Sequence, residues 1–199
     1  MQKLYPWQGF RAMQRRIMQN NCSGDFTMKR TLLDTSAYGE LVIEPEIVKI
    51  IRKLDESHEL IFYGNKLIRN ELRDTPKEKI IEDGKLRLLM LELYDSLVSK
   101  PSRELKITDL IEIIANEYFL AYKKARGGFS YNVIINDFRI IACASLHNLD
   151  IVVSHDKKSM LSDKSVQGYK KVNEKFQIST PDFKTYEDFR NKLKNWRLP

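Results

Sequence analysis

Cysteine is scarce in this chain. Cys22 and Cys143 are the only two among 199 residues, far apart and without an ordered histidine partner. Neither a disulfide framework nor a zinc finger is expected, and this usage fits a reducing cytoplasm. Long apolar runs are missing as well: none approaches the roughly 18 residues needed to span a bilayer, so no membrane is expected as a partner. Internal repeats and low-complexity tracts are absent, and the opening residues lack the apolar core of a secretion signal. What the chain does have is apolar clusters recurring along most of its length, which exclude wholesale disorder. At this length one domain, with or without an appendage, can bury roughly 70% of its unfolded surface and needs no staples.

Charge is unbalanced toward the positive side. Thirty-four Lys and Arg against 27 Asp and Glu give a net charge of +7, which favours a polyanionic partner. Part of the excess is local: before Met28, the basic Lys3, Arg11, Arg15 and Arg16 face only Asp25. Residues 1–28 lack sustained periodicity and are rich in Gln, Asn, Met and Arg. Three readings stay open for this extension: a disordered basic arm, an organelle-type leader, or untranslated sequence ahead of a start at Met28. The stretch MKRTLLDTS would open a domain on a buried strand, and residues 29–199 are read as that domain.

Strands and helices alternate from there. RTLLDTS is a short apolar run feeding a loop, and Pro45 opens a helix whose apolar face is Ile47, Ile50, Ile51 and Leu54. HELIFYG reads as a second strand. Asn65 then caps a helix through Arg73, ended before Pro76. The middle is helical: Leu86, Leu89, Met90, Leu93 and Leu97 form one stripe, and Leu105 to Arg126 forms a second helix stopped by Gly127-Gly128. NDFRIIACASLHNLD suggests a buried helix, IVVSHD a strand, and KFQIST a final strand before a helix from Pro181. The pattern predicts an α/β fold of three Rossmann-like layers, with a central parallel sheet and an enlarged helical middle section.

In such sheets functional groups gather at the carboxyl ends of strands. Asp34 closes LLD and Asp156 closes IVVSHD. Glu71, in the second turn after Asn65, and Asp137, placed at the head of the IIACAS helix, are expected on the same edge. Four converging carboxylates repel one another, so the constellation makes sense only with a hard cation between them.

LLDTS, the acid in RNELRDT, the NDFRIIACA helix and VVSHDKK together resemble the PIN-domain nuclease family, in the usual order and over the chain from about Met28 to the final helix. The middle is longer than in the compact VapC-like toxins of that family, and near Glu71 the acids Asp74 and Glu78 are alternatives for its position. The resemblance implies a PIN fold and a Mg²⁺- or Mn²⁺-dependent ribonuclease that hydrolyses RNA phosphodiester bonds. Asp34, Glu71, Asp137 and Asp156 would be catalytic metal ligands or water-orienting groups. Ser36 and Ser154 fall where the family commonly uses Ser or Thr. Arg69, Arg73, Arg139, Lys157 and Lys158 are candidates for gripping the RNA backbone. Two roles fit: the toxin of a type II toxin–antitoxin pair, with a small antitoxin and a homodimer as partners, or an RNA-processing nuclease. A PIN-like RNA-binding or assembly module without catalysis is the alternative. Phosphatases of the haloacid dehalogenase type need a second Asp two residues after the first, where Ser36 stands, and a receiver domain needs acid pairs and a strand-end Lys that cannot be placed.

Overall fold

A computed structural model describes residues 28–81 and 84–196. The expectations for the basic extension lie outside the described residues, apart from the exposed Met28.

Five strands form the main sheet: β1 (Lys29–Leu33), β2 (Leu60–Asn65), β5 (Glu104–Leu105), β6 (Ile151–Ser154) and β7 (Asp182–Thr185). Their spatial order is β5-β2-β1-β6-β7, and every neighbouring pair is parallel. The central β1 pairs Thr31 with Phe62 on one side and Leu32 with Val152 on the other. All four residues of β6 are buried, as a parallel strand covered on both faces requires, which is why IVVS reads as an unbroken apolar run. A small antiparallel hairpin, β3 (Ile80–Ile81) with β4 (Gly84–Lys85), lies outside this sheet. The expected α/β architecture with a parallel sheet is therefore what the chain forms.

Eight α-helices surround the sheet among the described residues: α1 (Thr35–Leu41), α2 (Pro45–Glu56), α3 (Lys66–Asp74), α4 (Leu86–Leu97), α5 (Asp109–Lys124), α6 (Tyr131–Leu146), α7 (Asp163–Phe176) and α8 (Tyr186–Lys194). The face of α2 buries Ile47, Ile51 and Leu54, with Ile50 at its margin. Each such side chain stabilises the fold by about 1.5–3 kcal/mol. Asn65 caps α3 by accepting from the Ile68 N–H at 3.1 Å, as expected. Next to it, Gly64 lets α4 approach: a Cβ there would collide with the ring of Tyr94, whose hydroxyl donates to the Asn65 carbonyl.

Four local expectations are corrected. The segment after Asp34 is helix α1 and not a loop, because Asp34 itself caps it. Leu105 belongs to edge strand β5, paired with Asn65, and the helix begins only at Asp109. Helix α6 starts at Tyr131, so Asp137 lies in its second turn and not at its head. The field of the helix end fades within the first turn and does not act on its charge. Finally, Lys175 and Phe176 end α7 where a strand was expected; the last strand is Asp182–Thr185 and the last helix begins at Tyr186. Tyr169, Val172 and Phe176 all pack inward at helical spacing, which overrides the β-like KFQIST. Among the described residues, no helix is long and apolar enough to cross a membrane.

Candidate active site

The carboxyl edge of the sheet carries the acids. Asp34 follows β1 directly, and Asp156 stands two residues past β6. Helix α3 runs on from β2, and α6 returns toward the start of β6. Glu71 and Asp137 are thereby brought to the edge from which those connections depart.

Asp34 is 6% exposed and extended in backbone. Its Oδ2 accepts from the Ser36 hydroxyl at 2.8 Å and from the Ser154 hydroxyl at 2.9 Å. Those two hydroxyl oxygens are 3.2 Å apart. They are fixed in turn by the loop after β6: the His155 N–H donates to Ser36 Oγ at 2.9 Å, and the Asp156 N–H to Ser154 Oγ at 3.0 Å. Burial raises the Asp34 carboxyl above its ordinary range, while the donors from Ser36, Ser154 and the local backbone hold the rise back.

Glu71 accepts from the hydroxyl of Thr35, the residue after Asp34, at 2.7 Å. It also has a hydrogen bond with Asn136. The Asn136 oxygen accepts from Arg139 at 3.0 Å, which leaves its amide nitrogen as the group able to donate to Glu71. Burial raises the Glu71 carboxyl, and the charges of Asp34 and Asp74 add to that rise. Asp74 and Glu78 are themselves exposed. Glu71 is thus the acid of this stretch that connects to Asp34.

Asp137 and Asp156 share one hydroxyl. Ser159 Oγ lies 2.6 Å from Asp137 Oδ2 and also contacts Asp156 Oδ2. One hydroxyl proton cannot be given to two carboxylates, so both contacts are hydrogen bonds only when one acid is protonated. Asp137 is suited to hold that proton: burial lifts it to about 7, and the charges of Asp34, Asp156 and Glu71 all push the same way. Asp156 goes the other way. Burial works to raise it, but the Ser159 hydroxyl and the N–H groups of Ser159 and Lys158 bring it below the ordinary value. Each of the four acids therefore has a hydroxyl partner, and Asp137 feels the other three. Among the described residues, no three His, Cys, Asp or Glu side chains are grouped closely enough to enclose a metal ion.

Ser36 and Ser154, chosen from the sequence, support Asp34 directly. Sequence reasoning overlooked Thr35, Asn136 and Ser159. Thr35 stood inside LLDTS, and Ser159 stands one residue past Lys158, whose N–H closes an Asx-type turn on Asp156. The basic candidates fall into two groups. Arg69 is gripped by both oxygens of Asp95 at 2.9 Å, and Arg139 pairs with Glu112 at 2.9 Å. Arg73, Lys157 and Lys158 are exposed, with Lys157 lying 3.5 Å from Glu187.

No protein-family profile matches the chain, and no curated protein does. The fold does have relatives of known structure. A chain of VapBC2 from Rickettsia felis, solved bound to a DNA fragment from its promoter, superposes with a TM-score of 0.51 at 11% identity, covering 78% of this chain and 98% of that one. A chain of VapBC-1 from nontypeable Haemophilus influenzae gives 0.48 at 13% identity, covering 79% and 98%. The class defined by the first likeness, together with the five-stranded parallel sheet flanked by helices, is a PIN-like fold. At such identity the likeness concerns architecture only.

Proposed function

We propose that the protein is a divalent-metal-dependent ribonuclease that hydrolyses RNA phosphodiester bonds at the edge holding Asp34, Glu71, Asp137 and Asp156. The observation that carries this reading is the electrostatic coupling of the four acids: Asp137 is pushed to about 7 in part by the charges of the other three. Mutual repulsion maintained at one sheet edge is a cost that a hard cation would relieve. The donors suit such an ion in kind, being all carboxylate oxygen, and a hydroxyl now rests against each acid where a cation would compete for the same lone pairs; enclosing the ion would draw three of the acids closer together than they stand. The four acids would hold Mg²⁺ or Mn²⁺, which activates water at neutral pH when bound.

The chain's own groups have separable tasks. Ser36 and Ser154 donate to Asp34 and favour its ionised form against burial, and Thr35 and Asn136 orient Glu71. Asp137, raised to about 7 without a cation, would give up its proton as the metal binds. Lys157, Lys158 and Arg73 supply positive charge beside it for the phosphate backbone, and Arg69 and Arg139 would join them on exchanging their carboxylate partners for phosphate. By analogy with the VapBC2 assembly, a small antitoxin-type protein and a second copy of the chain are the proposed protein partners.

The test is cleavage of a labelled RNA by the wild type and Asp34→Asn, with Mn²⁺, Mg²⁺ and a chelator. Cleavage should require the metal and fall by about 100-fold or more in the variant, with circular dichroism unchanged. Equal cleavage by the two proteins at matched metal concentration would reject the reading. Metal-independent RNA binding with no cleavage by either would favour a binding module on the same scaffold.

A further inference from the structure

Beyond the acids, the carboxyl edge continues into a cavity of about 780 Å³ between the α5–α6 connection and the turn that follows Asp156. That size suits a small-molecule-sized occupant. Its wall includes Gly128, Phe129, Lys157, Lys158, Asp163 and Lys164. The wall carries two aromatic residues, the buried Tyr122 and the half-buried Phe129, with three ammonium groups and a single carboxylate.

We propose that this cavity is a subsite for one nucleotide of single-stranded RNA flanking the cleaved bond, with Phe129 stacking on the base and Lys157 and Lys158 holding its phosphates. The proposal rests on the ribonuclease reading above. Phe129 is half-buried, and its backbone N–H donates to the hydroxyl of the buried Tyr122 at 3.2 Å, which ties down the backbone that bears the ring. Gly127 packs against Tyr122 so closely that a Cβ would strike its ring, whereas a Cβ on Gly128 would meet nothing within 4 Å. The loop is thus anchored on one side and open on the other.

The charges are placed for a backbone entering from the acids. Lys157 and Lys158 follow Asp156 in the chain, and the Lys158 N–H donates to Asp156 at 2.8 Å. The Lys158 side chain is exposed. Lys157 meets Glu187 only at 3.5 Å, and Lys164 is steadied by the Arg126 carbonyl at 2.8 Å. Asp163 opposes an anion but is a hydrogen-bond acceptor for a base amine. A free, unstacked base is what such a wall can grip; a duplex would hide the base face from Phe129.

The experiment measures fluorescence anisotropy of a single-stranded RNA of about 12 nucleotides, within the span such grooves bind, on the Asp34→Asn protein, which preserves the strand. Phe129→Leu, which keeps apolar bulk, should weaken binding by about 10-fold. The pair Lys157→Ala/Lys158→Ala should weaken it and flatten the dependence of log affinity on log salt by about 0.7 for each phosphate no longer neutralised. The exposed pair Lys157→Glu/Lys158→Glu carries the test where Phe129→Leu fails to fold. Unchanged affinity in the lysine variants and in a folded Phe129→Leu overturns the subsite, as does no binding at all or tighter binding of a duplex of the same sequence. Cleavage by the wild type with pocket variants cutting the same positions at the same rate overturns the subsite and leaves the nuclease standing. Binding that depends on the pocket without any cleavage by the wild type does the reverse.

Discussion

Two buried polar clusters in this molecule face opposite problems. Between helices α5, α6 and α7, the Tyr118 hydroxyl donates to Asn173 and lies 3.3 Å from Ser145. The Asn173 amide reaches Ser145, the Ser179 carbonyl and Thr180 at 2.9–3.2 Å. All of these groups are neutral, and each has a partner within hydrogen-bond reach. They sit beside the edge-to-face rings of Tyr118, Phe138 and Tyr169, where a complete network locks the helices together. At the carboxyl edge the count is reversed. Four acids have a handful of hydroxyls and N–H groups between them, and the exposed Lys158 offsets charge at Asp156. One region uses its polar atoms to be rigid; the other keeps like charges side by side, the repulsion on which the proposed metal site rests.

That contrast can be broken at either end. The largest expected effect on stability is in the neutral cluster. Asn173→Ala strands the Tyr118 hydroxyl and Ser145, and should destabilise the protein by about 2–3 kcal/mol in urea unfolding. RNA cleavage per folded molecule should not change. A variant of unaltered stability would mean that the cluster is hydrated rather than locked.

Asp137→Asn should act in the opposite direction. The Asp137 carboxyl is raised from 3.8 to about 7 in the folded chain. Between those values the folded state holds a proton that the unfolded state has released, so raising the pH costs stability across this window. Asparagine removes that loss. It should stabilise the protein by about 1–2 kcal/mol at pH 8 and not at all near pH 4, while cleavage falls. Parallel stability–pH curves for the two proteins would show that the acids do not repel as described.

The smallest effect sharpens the comparison within the acidic edge. Ser154→Ala removes one of two hydroxyls that hold down the Asp34 pKa and leaves the Asp156 N–H without its acceptor. A loss of about 1 kcal/mol is expected, together with a shift of the acid limb of the cleavage profile to higher pH. An unmoved acid limb would separate Asp34 ionisation from the reaction.

Much of the fold was legible because the strongest signals were local. Buried strands such as TLL and IVVS, Pro45 at a helix start and Asn65 at a cap act over a few residues. What escaped notice depended on distant pairing. Leu105 looked helical because Ile111, Ile114 and Tyr118 downstream are, yet pairing with Asn65 makes it an edge strand. The start of α6 was misplaced because Tyr131, Asn132 and Val133 are exposed and lack an apolar stripe. The four acids could be picked out by their positions relative to strands. Their hydroxyl partners could not, since Thr35 and Ser159 become informative only when Glu71 and Asp137 arrive from elsewhere in the chain.

One consequence concerns mechanical linkage. The N–H groups of His155 and Asp156 hold the very oxygens that hold Asp34. The turn bearing Lys157 and Lys158 cannot shift without disturbing the innermost acid. A polymer pulling on those lysines would therefore be sensed at the bottom of the cleft through two oxygen atoms, and occupancy outside would tune acidity within.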